Sequence, residues 1–154
     1  MFDGPLQLDL DPRERRARLR LARSARIGPV TFHEALAHFG SAQAACARLA
    51  TVSEAAIARE EEALAKAGGR FVVVGEETYP AALAALPDAP PVLSAIGDCR
   101  LLHRPTLAIV GARDASAAGC RFAADLAAAL GAAGFAVASG LARGIDTAAH
   151  EAAL

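Results

Sequence analysis

The chain has 154 residues, 54 % of them hydrophobic, and a formal net charge of −1 at pH 7. That length suits one domain or two small ones and buries roughly 70 % of the unfolded surface, and the balanced charge excludes a global field that would draw the protein to DNA. No apolar run approaches the roughly 18 residues of a membrane span and no charged-then-apolar leader stands at Met1, so a soluble, cytoplasmic protein is expected.

The first part of the chain has a helical pattern. Asp11-Pro12 is a helix start, with Pro in the first turn. The stretch that follows is locally basic: between Arg13 and Arg26 seven arginines meet one acid, Glu14. Ile27-Gly28-Pro29 breaks it. Phe32, Ala35, Leu36 and Phe39 then fall on one helical stripe, and Gly40 ends that helix. Ser41 caps the next, with Ala42, Ala45, Cys46 and Leu49 at the same spacing. Ser53 caps a fourth through Ile57 and Leu64, with Lys66 in its last turn and Gly68-Gly69 as its stop. A small bundle of four short helices is expected.

At Phe71 the period changes. Residues 71–74 form a continuous β-branched run, a buried strand. Thr78-Tyr79-Pro80 is a turn, and Pro87, Pro90 and Pro91 punctuate a connector that lies on a domain. Residues 92–96 form a further strand ending at Gly97-Asp98. Then come an apolar strand over 106–110, a loop at Gly111-Ala112-Arg113-Asp114, and a helix capped by Ser116. That helix carries Phe122, Leu126 and Leu130 at i, i+4, i+8, and Gly134 closes it. A strand over 135–139, a second loop over 140–144 and a helix from Asp146 to Leu154 complete a parallel βαβ unit.

Ligands of an open parallel sheet sit outside the carboxyl ends of its strands, and both loops lie at that edge. Free loop N–H groups and helix N-termini favour an anion there. Gly111, Gly140 and Gly144 allow close backbone approach, Ser139 adds a hydroxyl, and Arg113 and Arg143 add charge and bidentate phosphate contacts. These six residues are the candidate phosphate site. Neither loop has the G-x-G-x-x-G spacing of a dinucleotide site, and no Gly-Lys-Ser/Thr occurs. Cys46, Cys99 and Cys120 are odd in number and without C-x-x-C spacing, which suits a reducing compartment and gives no zinc or disulfide signal. No cofactor and no metal are expected.

Other polar residues have two readings each. Asp146 and His150 share a helical face and either form an oriented base or, the reading taken here, an N-cap and a packed or surface histidine. His33 and His38 are expected on helix surfaces rather than as ligands, and Glu60-Glu61-Glu62 on a solvated face. Tyr79 either stacks a base or, as taken here, covers the core.

The run from Leu107 to Arg113, Gly119, the run Ser139-Gly-Leu-Ala-Arg-Gly-Ile-Asp146, Ala149-His150 and Ala153-Leu154 resemble the signature of the DNA-processing protein A (DprA/Smf) family. Upstream, Tyr79-Pro80, Leu83, Pro90-Pro91-Val92-Leu93 and Gly97-Asp98 resemble that family's entry into its extended Rossmann domain. Ile27-Gly-Pro29 and Phe39-Gly-Ser41 resemble its N-terminal helical domain. The resemblance implies an α/β chain: a small helical domain of the SAM or helix-hairpin-helix type over residues 1–69, then the first half of an extended Rossmann-like parallel-sheet domain over 70–154. It further implies a non-enzymatic protein that binds single-stranded DNA, helps load the RecA recombinase, serves natural transformation and acts as a homodimer. Its DNA-phosphate pocket falls on Gly111, Ala112, Arg113, Ser139, Gly140 and Arg143. Position 112, commonly Ser in the family, is Ala here, which removes a hydroxyl donor. The family's domain continues past the position of Leu154, so a fragment or a truncated product is expected.

Two alternatives stand beside this. A nucleotide-fold enzyme, a nucleoside-phosphate hydrolase of the lysine-decarboxylase-like type, shares Gly-rich βα loops, but its Pro-Gly-Gly…Gly-Thr…Glu segment does not occur in this sequence. A helical module binding DNA or protein through the Arg13–Arg26 face is the other.

Overall fold

The structure is a computed structural model that describes residues 10–154; the absence of a leader inferred at Met1 concerns residues outside that range. The chain divides into two compact units, one up to Cys99 and one from Arg100 to Leu154.

In the first unit four helices precede a hairpin: α1 (Pro12–Ala22), α2 (Pro29–Phe39), α3 (Ala42–Cys46) and α4 (Glu54–Lys66), then β1 (Gly69–Val73), α5 (Ala81–Ala84) and β2 (Val92–Ile96). The expected caps are in place. Asp11 accepts the Arg13 and Glu14 N–H groups, Ser41 that of Ala44 and Ser53 that of Ala56, while Gly40 ends α2 at φ +80°. The arginine-rich helix stops at Ala22, and Arg26 lies in the following turn at φ +67°. The short α5 was not marked by any periodicity.

Helix α1 sits between two cores, because leucines two apart point to opposite sides of a helix. Leu21 joins Ala17, Phe32, Ala35, Ala42 and Ala45, and Leu19 joins Ile57, Phe71 and Val73. The arginines around these leucines line the seams, where α4, Glu76 and Glu14 of α1 itself present acids. Arg15 pairs with Glu61 and Glu76, Arg16 with Glu61, Arg18 with Glu14, Arg20 with Glu54 and Arg23 with Glu60. Five of the seven arginines are thus countered within the unit. Glu60 and Glu61, expected on a solvated face, are the matching counter-charges; Glu62 pairs along its own helix with Lys66.

Strands β1 and β2 pair antiparallel, from Gly69↔Ile96 to Val73↔Val92. Tyr79 is fully buried and donates its hydroxyl to the Pro90 carbonyl at 2.7 Å, so it covers the core and offers no ring to a base. His33, expected on the surface, is half-buried with Nε2 3.0 Å from the Ala89 carbonyl oxygen.

The second unit begins in a 3₁₀ turn (Cys99–His103) and contains β3 (Thr106–Ala108), α6 (Ala117–Ala132), β4 (Ala136–Ala138) and α7 (Ile145–Ala153). β3 and β4 are parallel, with Leu107 opposite Val137. The Ile109 N–H donates to the Ala138 carbonyl at 2.9 Å, which carries the pairing one residue further. Ser116 caps α6 through the Gly119 N–H. The core is small: Ile109, Ala127 and Ala149, with Leu130, Val137, Ile145 and Ala152 against it. The stripe expected on α6 is only partly used. Leu130 packs, but Phe122 is 70 % and Leu126 41 % exposed, because the helix turns its Ala123 and Ala127 face inward. Alanine allows backbones to approach closely, and within this unit that approach outweighs the larger apolar side chains.

Candidate functional site

Because β3 and β4 are parallel, the loops that follow them emerge at the same edge of the sheet. Residues 110–116 form the first loop and residues 139–144 the second, so all the candidate residues lie in the second unit.

The two loops press against each other at their glycines. Gly144 has φ +81° and ψ −122°, a region almost closed to side chains. A Cβ there would lie against the Ala112 carbonyl oxygen and 2.6 Å from that of Arg113. A Cβ at Gly111 would fall 2.5 Å from Cγ1 of Ile145, the first residue of α7. The Ile145 N–H in turn donates to the Ala112 carbonyl at 3.3 Å. Gly111 and Gly144 are thus fixed by the contact between the loops.

The second loop is held from behind by α7. Gly144, not Asp146, occupies the N-cap position of that helix. Asp146 is 5 % exposed, and its Oδ2 accepts the N–H groups of Gly140 at 3.0 Å and Ala142 at 3.4 Å. The Thr147 hydroxyl donates to the Ala142 carbonyl at 2.8 Å. His150 lies with Nε2 3.3 Å from the Ser139 carbonyl oxygen. Asp146 and His150 therefore both address loop backbone, which is a scaffold arrangement and not that of an oriented base.

These bonds revise the expected donor set. The Gly140 N–H is engaged by Asp146, and the Ser139 hydroxyl donates to the Ile109 carbonyl at 2.7 Å, tying the ends of the two strands together. Neither proton is free for a ligand. What faces solvent is the first loop, with Gly111, Ala112 and Arg113 all exposed, and the Arg143 side chain. Arg143 lies 3.9 Å from Asp114 with both side chains at least 80 % exposed, a loose pair that holds little of the arginine's charge. Leu141 also stands out, 81 % exposed at φ +55°; a left-handed backbone costs a non-glycine residue about 1 kcal/mol or more.

Sequence patterning missed three residues: Leu141, Ile145 as the wedge under Gly111, and the inward role of Asp146. The signal for the last two was present, since an apolar residue stands at the first helical position and an acid at the next, both directly after a glycine. Among the described residues, no three His, Cys, Asp or Glu side chains group as metal ligands.

Residues 70–154 match the family model of the DNA recombination-mediator protein A, and residues 12–68 match that of the DprA-like N-terminal HHH domain. The chain belongs to the DprA family. Protein Smf of Escherichia coli K12 is 40 % identical over 84 residues, which covers 54 % of this chain and 22 % of that protein. The putative DNA processing protein DprA of Mycobacterium tuberculosis is 42 % identical over 106 residues, covering 60 % of this chain and 27 % of that one. The matched part of the chain thus spans about a quarter of the length of these relatives. The X-ray structure of DNA processing protein A from Streptococcus pneumoniae superposes with a TM-score of 0.67 at 22 % identity, over 95 % of this chain and 54 % of the other. At that identity the likeness establishes a shared fold: a helical domain followed by the parallel-sheet portion of a DprA protein.

Proposed function

We propose that the edge formed by the two loops binds the phosphate backbone of single-stranded DNA, and that the chain is the N-terminal part of a non-enzymatic recombination mediator. One observation carries the reading. Two interlocked loops at the carboxyl edge of a parallel sheet each present an exposed arginine, Arg113 and Arg143, beside the exposed residues Gly111 and Ala112. Guanidinium groups suit phosphate, and exposed glycine backbone lets a strand approach closely. Gly140, Gly144 and Ser139 act in this reading by shaping the edge.

Membership of the DprA family supports the finer assignments: loading of the RecA recombinase, a role in natural transformation, a homodimer in the intact protein and a cytoplasmic location. The three cysteines are unpaired, which fits a reducing compartment, and among the described residues no helix is long and apolar enough to cross a membrane. On the bounds of the two family models, residues 12–68 are an attached helical module and residues 70–154 belong to the DNA-binding domain.

The test is fluorescence anisotropy of a labelled oligothymidylate with the 154-residue chain at low salt. Binding is expected to weaken steeply with added salt and to tolerate changes of base. Arg113→Ala and Arg143→Ala are each expected to lower affinity about tenfold, the scale of one lost charged hydrogen bond. Wild-type affinity in both variants would overturn the site.

A further inference from the structure

Leu141 is a leucine that its own surroundings disfavour. Its backbone is left-handed at φ +55°, where glycine would rest without strain, and its side chain is 81 % exposed, so packing gives it almost nothing in return. The conformation is imposed from both sides. The N–H groups of Gly140 and Ala142 both point to the buried Asp146 carboxylate, and the Thr147 hydroxyl holds the Ala142 carbonyl. The loop therefore fixes where the leucine sits without using it. Two residues on, the Arg143 side chain is 80 % exposed.

We propose that Leu141 is a base-contacting residue, an apolar side chain that packs on the face of a nucleobase while Arg143 engages phosphate of the same strand. The inference rests on the DNA-binding reading above and adds what the phosphate contacts lack. A nucleotide offers an anion and an apolar ring face, and a fixed loop carrying an arginine and a leucine two residues apart meets both. An aliphatic contact reads no hydrogen-bonding edge, so it adds affinity without sequence preference, as stacking contacts to single strands do. The free chain bears the left-handed strain and the exposed leucine, and contact with a base would bury that side chain.

The experiment compares two labelled strands of equal length, an oligothymidylate and an abasic strand with the same phosphates, against the 154-residue wild type, Leu141→Gly and Arg143→Ala. Glycine keeps the loop conformation, so Leu141→Gly is expected to unfold at or above the wild-type temperature. The wild type is expected to prefer the oligothymidylate. Leu141→Gly is expected to bind it about fivefold more weakly, the scale of a half-buried leucine, and to bind the abasic strand as the wild type does. Arg143→Ala is expected to weaken both strands alike. A wild-type preference retained in Leu141→Gly would overturn the base contact and leave the leucine to a protein surface. Equal loss on both strands would also overturn it, by showing that the residue only shapes the loop. If the wild type binds neither strand, the DNA-binding reading fails and this inference with it.

Discussion

The carboxylate of Asp146 accepts the Gly140 N–H at 3.0 Å from inside the protein, at the back of the loop that Gly140 opens. A second N–H, from Ala142, reaches the same oxygen. Asp146→Ala would remove the buried acceptor shared by two part-buried loop donors, at a cost of about 1–3 kcal/mol. Asp146→Asn keeps an oxygen and is expected to lose less. Chemical denaturation gives the ranking, and amide hydrogen exchange at Gly140 and Ala142 gives the location: faster exchange confined to those amides in Asp146→Ala is the expected pattern, and unchanged exchange would refute it.

The contact between Gly111 and Ile145 predicts a coupled pair. Gly111→Ala alone drives a methyl group into Ile145 and is expected to destabilise by about 1–3 kcal/mol, as overpacking does. In an Ile145→Ala background the same substitution has room and is expected to cost about 1 kcal/mol less. A double-mutant cycle by denaturant titration measures the difference, and strict additivity would mean that the loops do not meet there.

Two glutamates in the first unit should behave differently. Glu76 is 14 % exposed at its side chain, pairs with Arg15 and accepts the Val73 N–H at 2.9 Å, so Glu76→Ala is expected to cost about 1–3 kcal/mol. Glu62 and Lys66 pair at the surface with side chains 65 % and 74 % exposed, and Glu62→Ala is expected to change stability by less than about 0.5 kcal/mol. Equal effects would show that the seam between α1 and the hairpin is wetter than its geometry.

Burial pushes the Tyr79 phenol above its ordinary value. The unfolded chain ionises this group near pH 10, whereas the folded chain keeps it neutral. Its contribution to stability is therefore complete below about pH 10 and is lost as pH rises through the higher folded value. Guanidinium titrations from neutral to strongly alkaline pH should show that decline. Tyr79→Phe should flatten it while giving up the hydrogen bond to Pro90, worth about 1 kcal/mol at any lower pH.

Much of the fold was legible because local chemistry marks helix ends strongly. Asp11, Ser41, Ser53 and Ser116 are all side-chain caps, and Gly40 and Gly134 are left-handed stops. What sequence patterning misjudged depends on which faces meet. Arginines on α1 resemble a binding patch until α4 and Glu76 are packed beside them. Phe122 and Leu126 resemble core until α6 turns its alanines inward. The candidate site divides in the same way. Gly111, Arg113, Arg143 and Gly144 carry their reasons in residue type, whereas the engagement of Ser139 and Gly140 follows from bonds to Ile109 and Asp146, which no spacing rule encodes.

The alanine face of α6 has a mechanical meaning for the loops. Ala127 and Ala149 bring only methyl groups to the centre of the second unit, and an added Cβ on Gly131 would stand 4.0 Å from the Ala153 carbonyl oxygen. With methyl groups at their fully buried contact, α6 and α7 leave little side-chain torsion there to absorb an error in their spacing. Ile145 and Asp146 begin that same α7, so a displacement of the helix would reach Gly111 and Gly140 together. The tolerance of the loop edge is thus set at its far end, and a bulky residue at Ala127 or Ala149 should misalign two loops that it never touches.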